Sequence, residues 1–576
     1  MDRKTLKKII DTAAGRIKAD TVIKNCRVIN VYTGKIEESD IAISDGFIAG
    51  TGNYGGIKEI DAGGKFAAPG FIDSHIHIES SYLAPSELGK LTVPHGTTTI
   101  IADPHEIANV RGIKGMDYML EDADGTDLDI KFMVPSCVPA TIFETAGASI
   151  DSRDIADYMD SRNVLGLGEF MNYPGVIYGD DETLDRILAA RDRGRVIDGH
   201  APNVFDKELN AYAAANIAAD HECATLEDME NRLSRGMYVM IRQGSACHNL
   251  KTMIKGVNST NSRRCVLCSD DRQPKTIFEE GHLDNHINMC LEEGIDIVTA
   301  IQMATLNAAE LFKLEDRGAI APGKRADIVL FDMDEKIHVK DVFIEGKHCA
   351  SEGKYTGKDV KADISGVRNS MNVEGFSKDK LKLNLTGEYA TAIELITGEV
   401  VTKKTKVKVQ KDSDGDFVRN PDEDVVKIAV VERHKGTGNV ACGLIKGYGI
   451  RKGAVALSIA HDSHNIIVTG VDNDEMEAAV NALIAQEGGM VLVKDGKVIE
   501  SMPLPIGGLM TDKSGKWVDE KLTDMHEKAH RELGISGSVE PVMTLCFMSL
   551  PVIPEIKITD RGLFDVTKFD FIDINE

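Results

Sequence analysis

From residue 66 to residue 312 the chain alternates short, continuously apolar runs with longer stretches of helical periodicity, such as residues 183–193 and 300–312. Strands buried on both faces read as unbroken apolar runs, and a regular strand–helix alternation predicts a parallel sheet with helices outside. A stretch of roughly 250 residues suits one (β/α)8 barrel of ordinary size. The expected fold is therefore α/β, a TIM-like barrel with additions at both ends. Before it, Leu6, Ile9, Ile10, Ala13 and Ile17 fall at helical spacing and predict an amphipathic helix that packs on a neighbouring domain or subunit. Residues 21–60 then change to short β-rich runs, with Asp45-Gly46 marking a hairpin. Similar runs return at 327–331 and 342–344, followed by Glu345-Gly346-Lys347, so the two flanks could pair into one small composite β domain.

Beyond residue 364 the pattern changes again. Strands are expected at 425–431, 454–459 and 466–471, a helix over 474–486 capped by Asp472 or Asn473, and a hairpin turn at Asp495-Gly496. The expected units are 1–65 (N-terminal helix and first part of the small β domain), 66–315 (barrel), 316–364 (second part of the β domain) and 365–576 (a C-terminal α+β domain).

Polar residues recur where the apolar runs of the barrel stop. His75 and His77 close the first run; Glu169 follows Val164-Leu165-Gly166-Leu167-Gly168, His200 follows Val196-Ile197-Asp198-Gly199, His221 follows Ile217-Ala218-Ala219-Asp220, and Asp270 follows Cys265-Val266-Leu267-Cys268-Ser269. Residues two apart on a strand point the same way, so His75 and His77 can supply half a metal site. The carboxyl ends of parallel barrel strands converge on one mouth, where such enzymes carry their chemistry. Salt bridges with Arg242 or Arg272 could explain the two carboxylates alone, but structural ion pairs have no reason to recur at that register.

These residues resemble the amidohydrolase superfamily of metal-dependent hydrolases, through Pro69-Gly70-Phe71-Ile72-Asp73-Ser74-His75-Ile76-His77, the later His200, His221 and Asp270, and Gly318-Ala319-Ile320-Ala321-Pro322-Gly323-Lys324-Arg325-Ala326-Asp327. Within it the chain is similar to the adenine deaminases, through Gly168-Glu169-Phe170-Met171-Asn172, Gly199-His200-Ala201-Pro202, Asp220-His221-Glu222, Arg242-Gln243-Gly244-Ser245, Ser269-Asp270-Asp271-Arg272 and the segment after about residue 365. Many superfamily members bridge two metals with a carboxylated lysine. Glu169 at the corresponding strand end offers a carboxylate without modification, which weakens a hydantoin or dihydroorotate reading.

The resemblance implies hydrolytic deamination of adenine to hypoxanthine and ammonia, in purine salvage. A divalent cation can lower the pKa of bound water to about 7, giving hydroxide beside the substrate. His75 and His77 are expected to hold one metal, Glu169 to bridge, His200 and His221 to hold the second, and Asp270 to bind metal and move the proton, with Glu169 and Glu222 as further catalytic residues. A binuclear centre of manganese or iron, with zinc possible, is implied. His105, Arg242, Asp271, His461 and His464 are the expected substrate contacts. A loop histidine bonded to backbone is equally compatible with His105, and an exposed loop is slightly favoured for His461-Asp462-Ser463-His464-Asn465 over a second metal site or a lid. Two readings compete: a cyclic amidohydrolase acting on another ring, and a non-catalytic scaffold of the same architecture.

Composition narrows the field. A net charge of −25, from 92 acidic against 67 basic residues, disfavours nucleic acid but not a neutral purine. Ten irregularly spaced cysteines predict a reduced, cytoplasmic setting, with Cys265 and Cys268 as buried strand residues rather than a redox pair. No stretch approaches a membrane span, and a homo-oligomer, dimer or larger, is expected. Gly436-Thr437-Gly438-Asn439-Val440-Ala441 reads as turn chemistry, and residues 411–416 as a solvated loop.

Overall fold

The structure, a computed structural model, describes residues 1–576. Eight parallel strands form the barrel: Phe71–His77, Thr97–Ala102, Asp129–Val134, Val164–Phe170, Val196–Gly199, Ala219–Asp220, Tyr238–Arg242 and Cys265–Cys268. The ladder is thin in two places. Between the fifth and sixth strands one bond, Ala218 N–H to Ile197 O at 2.8 Å, carries the curl onward. Closure comes from Asp270–Asp271, just past the eighth strand, pairing with Ile76 and His77 of the first. The same pairing draws Asp270 to the His75–His77 edge, so closing the barrel and assembling the site are one event.

Every residue of the second and fourth strands is buried, as expected of strands covered on both faces. One apolar cluster takes a side chain from each strand in turn, Ile72, Ile101, Met133, Leu165, Val196, Ala219, Met240 and Val266, and is stoppered by Phe312 and Leu314. This plug fills the base of the barrel and leaves the carboxyl-terminal mouth for polar side chains. At Gly70, where the chain enters the first strand, a Cβ would lie 2.1 Å from Thr98 Oγ1, so only glycine permits the approach.

Around the barrel, helix Asp181–Arg191 is capped by Asp180, whose carboxylate accepts from Thr183 N at 2.9 Å. The single helix expected over 300–312 is instead two, Ile297–Ala304 and Leu306–Leu311. Thr305 breaks them with φ −142° and ψ −82° while its hydroxyl donates to Ile301 O at 2.6 Å, a local bond that competes with helix continuation.

The two flanks of the barrel share a nine-stranded sheet. Strand Phe66–Pro69 sits at its centre, parallel to Arg27–Val28 and antiparallel to Ile328–Phe331, and hands the chain directly to the barrel. Asp45-Gly46 and Glu345-Gly346 form its tight turns, each residue at positive φ. The N-terminal helix, Arg3–Ala13, buries Ile9 and Thr12 but leaves Leu6 and Ile10 about half exposed, and Ile17 lies beyond its end.

The C-terminal region builds an eight-stranded sheet including Val425–Val431, Ala454–Leu457 and Ile466–Gly470, with helix Asn473–Ala485, capped by Asp472, on one face. On the other side a single apolar core runs from barrel residues such as Leu88, Ile107 and Val110 to Leu504, Ile506 and Leu509. The loop between Leu457 and Ile466 is therefore pressed towards the barrel mouth. Arg433, fully buried, buckles it there by donating to the carbonyls of His464, Ser458 and Gly507. The exposed-loop expectation for 461–465 is overturned: all five residues are packed, with His464 at 1% exposure. The loop at 411–416 also differs from expectation at one residue, since Asp416 is buried and accepts from Lys427 Nζ at 2.7 Å. No helix is long and apolar enough to cross a membrane.

Candidate active site

Six strand-end side chains meet at the mouth. His75 Nδ1–H donates to Asp198 Oδ2 at 3.1 Å, and His77 Nδ1–H donates to the backbone carbonyl of Asp103 at 3.0 Å. Each bond fixes a tautomer and turns the Nε2 lone pair inward. Those two nitrogens face each other 3.1 Å apart. Opposed lone pairs at that distance repel unless a cation is shared between them, so the donor set fits a metal.

Glu169 stands between this pair and the next. Its Oε2 lies 3.1 Å from His200 Nδ1 and 3.0 Å from His221 Nε2, while Oε1 lies 3.8 Å from His77 Nε2. Asp270 Oδ1 is 3.3 Å from His77 Nε2 and 3.7 Å from His75 Nε2. The residue that presents it has φ +57°, a left-handed conformation uncommon outside glycine and asparagine, which swings the carboxylate inward. Triads able to hold an ion overlap: His75–His77–Asp270, His75–Glu169–His221 and His200–His221–Glu222 each bring their ligand atoms within 4.8 Å of one another. The buried cluster thus offers imidazole and carboxylate donors suited to a divalent metal.

Without a cation the cluster holds protons. Burial opposes charge on His221, but Glu169, then Asp270 and Glu222, outweigh it and lift the imidazole to about 10. Burial would likewise raise Glu169, yet His200, His221 and His77 hold it well below the usual carboxylate range. A divalent cation would take the place of these protons.

Arg242 ties the outer carboxylates together. Its Nη1 donates to Glu222 Oε1 at 2.6 Å and to Asp270 Oδ2 at 2.9 Å, and Nη2 donates to Glu222 Oε2 at 3.0 Å. Strand alternation would turn one of each pair 221/222 and 270/271 away, and it fails at both. Ladder pairing has ended by residue 221, so Glu222 also faces the centre, 3.7 Å from His221 Nε2. Asp271 lines the adjoining cavity, where its Oδ1 accepts from Ser80 Oγ.

His105 sits inside the cluster rather than in a loop bonded to backbone. Its Nδ1 lies 3.4 Å from Glu169 Oε1, its ring meets His77 edge-on at 4.7 Å, and it forms a fourth triad with His77 and Glu169. His461 and His464 reach the mouth from the C-terminal region but meet Glu106: His461 Nδ1–H donates to Oε1 at 2.7 Å and His464 Nε2–H to Oε2. His95 pairs with Asp284 at 2.9 Å, and His282 and His286 are buried against Thr97 and the Cys268 carbonyl, so all three lie away from the centre. Arg272 also points away, to Glu280 and Gly281 O. Cys265 and Cys268 are buried free thiols.

Sequence reasoning missed Asp198, Asp103 and Glu79, while Glu106, beside His105 at the end of a strand, was legible as a residue of the mouth. Asp103-Pro104-His105-Glu106 did carry a signal, since it follows a strand as the other site residues do. Beside the cluster lies a cavity lined by Glu79, Glu106, Asp271 and Gln273 from the barrel and by Ile459, His461, Met543 and Phe547 from the C-terminal region. The Phe547 ring stacks on His461 at 4.8 Å.

The profile described as amidohydrolase family matches residues 66–375, and that described as adenine deaminase C-terminal domain matches residues 399–570. The chain is 59% identical over 574 residues to adenine deaminase 2 of Desulfotalea psychrophila, covering 100% of each chain. It is 52% identical over 573 residues to the adenine deaminase of Ligilactobacillus salivarius, covering 99% of each. Among solved structures, an enamidase of the amidohydrolase superfamily aligns with 60% of this chain and 98% of its own, at 17% identity and a TM-score of 0.45.

Proposed function

Because the chain belongs to the adenine deaminase family of the amidohydrolase superfamily, we propose that it hydrolyses adenine to hypoxanthine and ammonia, a step of purine salvage, at the cluster of His75, His77, Glu169, His200, His221 and Asp270. The observation that carries this reading is the pair of inward Nε2 lone pairs 3.1 Å apart with Glu169 between them and the second imidazole pair. His75 and His77 would hold one cation and His200 and His221 a second, Glu169 serving both and Asp270 completing the set. Mixed nitrogen and oxygen donors suit manganese, iron or zinc alike. When bound, such a cation supplies a nucleophilic hydroxide from water at neutral pH.

The chain's own residues move the protons. Burial alone would raise the Asp270 carboxyl, but His77 and Arg242 more than cancel it, so it remains an ionised acceptor. Asp270 takes the water proton as oxygen adds to C6 of the purine, then returns it as the C6–N bond breaks and ammonia leaves. Arg242 holds Asp270 and Glu222 in register, with Glu222 beside His200 and His221. His105, Asp271, His461 and His464 line the approach. Glu169 in place of a lysine argues against a hydantoin-type ring, which the alternative cyclic amidohydrolase would need.

Ten free cysteines fit a cytoplasmic enzyme, and the half-exposed Leu6 and Ile10 support a homo-oligomer. The test is ammonia release from adenine, hydantoins and other purines, by protein purified without chelator and assayed for metal. Adenine should be the favoured substrate, and Asp270→Asn should cut turnover by roughly 10²–10⁴-fold without unfolding the chain. Turnover of a hydantoin with none of adenine would reverse the assignment.

A further inference from the structure

The cavity beside the cluster contains a fully buried carboxylate oxygen that nothing in the protein satisfies. Glu79 is 4% exposed and lies in the short turn Ile78–Ser81, two residues past His77. Its Oε1 accepts from Ile107 N–H at 3.1 Å; its Oε2 has no partner. The neighbouring carboxylates differ. Both oxygens of Glu106 are taken, by His461 and His464, and Asp271 Oδ1 is taken by Ser80. A buried acceptor left without a donor is costly, and in a cavity wall the missing donor is most simply supplied by the ligand.

An adenine has two kinds of N–H: the exocyclic amine, which must lie at the reacting centre, and the ring N–H of the five-membered ring. The other walls include Ile459, Met543 and the Phe547–His461 stack, which suit the faces of a flat ring.

We propose that Glu79, through Oε2, is the specificity residue that accepts the ring N–H of the purine's five-membered ring. The inference rests on the adenine reading and adds to it: Glu79 selects free bases, because a base substituted at that nitrogen has lost the proton Glu79 accepts. A site built to accept an N–H rejects an analogue lacking it far more strongly than an apolar pocket rejects a change of size.

The experiment compares two inhibitors of adenine deamination by the metal-loaded enzyme, purine and thiazolo[5,4-d]pyrimidine. Neither carries the amine, and they differ in that sulfur replaces the ring N–H. In the wild type, purine should inhibit at least about tenfold more tightly. In Glu79→Gln, and in Glu79→Asp should the first variant fold poorly, that preference should shrink towards parity while cation content is retained. Equal inhibition by the two compounds in the wild type, or an undiminished preference in a variant that still loads cations, would overturn the assignment of Glu79. Absence of adenine turnover in the wild type would instead strike at the proposed function, so the two failures are distinct.

Discussion

An imidazole binds a cation only through a nitrogen that carries no proton, so the partner on its far side decides whether it is a ligand at all. For His75 that partner is Asp198, 1% exposed and 3.1 Å from Nδ1. Asp198→Asn can donate an amide N–H to Nδ1, which places the proton on Nε2, facing the cluster. The expected result is a loss of cation affinity of about 10- to 100-fold with the fold intact, measured by competition against a chelator and by thermal unfolding. Unchanged affinity would remove Asp198 from its positioning role. Asp198 illustrates what a sequence does and does not reveal. His75, His77, Glu169, His200, His221 and Asp270 were legible because each closes an apolar run, a one-dimensional signal. Asp198, Asp103 and Glu79 were not, because their roles depend on which way a neighbouring N–H or lone pair points. Alternation misjudged 221/222 because that pair lies where the ladder has stopped, and 270/271 because Asp270, though paired with the first strand, takes a left-handed φ.

At the level of elements, the tight turns were legible at Asp45-Gly46, Glu345-Gly346 and Asp495-Gly496, where positive φ is demanded and residue type supplies it. The break at Thr305 was not, because apolar periodicity runs straight through it. The docking of helix Gly515–Glu532 onto strand Lys497–Pro503 was equally hidden, since it depends on charged residues brought together only by folding. Glu500 accepts there from Lys521 at 2.8 Å and from Lys528. Burial would raise its carboxyl, but the two ammonium groups outweigh burial and bring it down to about 2. A folded-state value below the unfolded one, near 4.3, means the contribution is fully present above pH 4.3 and fades as pH falls through about 2. Urea titrations between pH 5 and 2.5 should therefore show Glu500→Gln losing about 1 kcal/mol relative to wild type at the upper end, with the difference closing towards the lower end. A difference that stays constant with pH would refute the role given to this pair of bridges.

Across the whole molecule, the barrel and the composite sheet are joined at the barrel's base by Asp129. It accepts from Arg317 Nη1 at 2.5 Å and Arg325 Nη1 at 2.6 Å, with Lys131 at 2.8 Å, and these cations hold it far below the usual carboxylate range despite burial. Asp129→Asn leaves two guanidinium groups facing each other with one acceptor lost. The expected cost is about 3–5 kcal/mol, read as a lowered thermal midpoint, with adenine turnover preserved below it because the residue lies at the end opposite the mouth. A midpoint within a degree of wild type would show the junction to be carried by apolar contacts alone.

The cavity roof has a different origin from the cation ligands beneath it. Every one of those ligands lies between His75 and Asp270, whereas Ile459, His461, Met543 and Phe547 are encoded far later. A growing polypeptide thus carries all six proposed metal donors before the residues that roof the pocket are made. Substitutions in the roof can therefore change how a base is enclosed while leaving the proposed cation donors untouched.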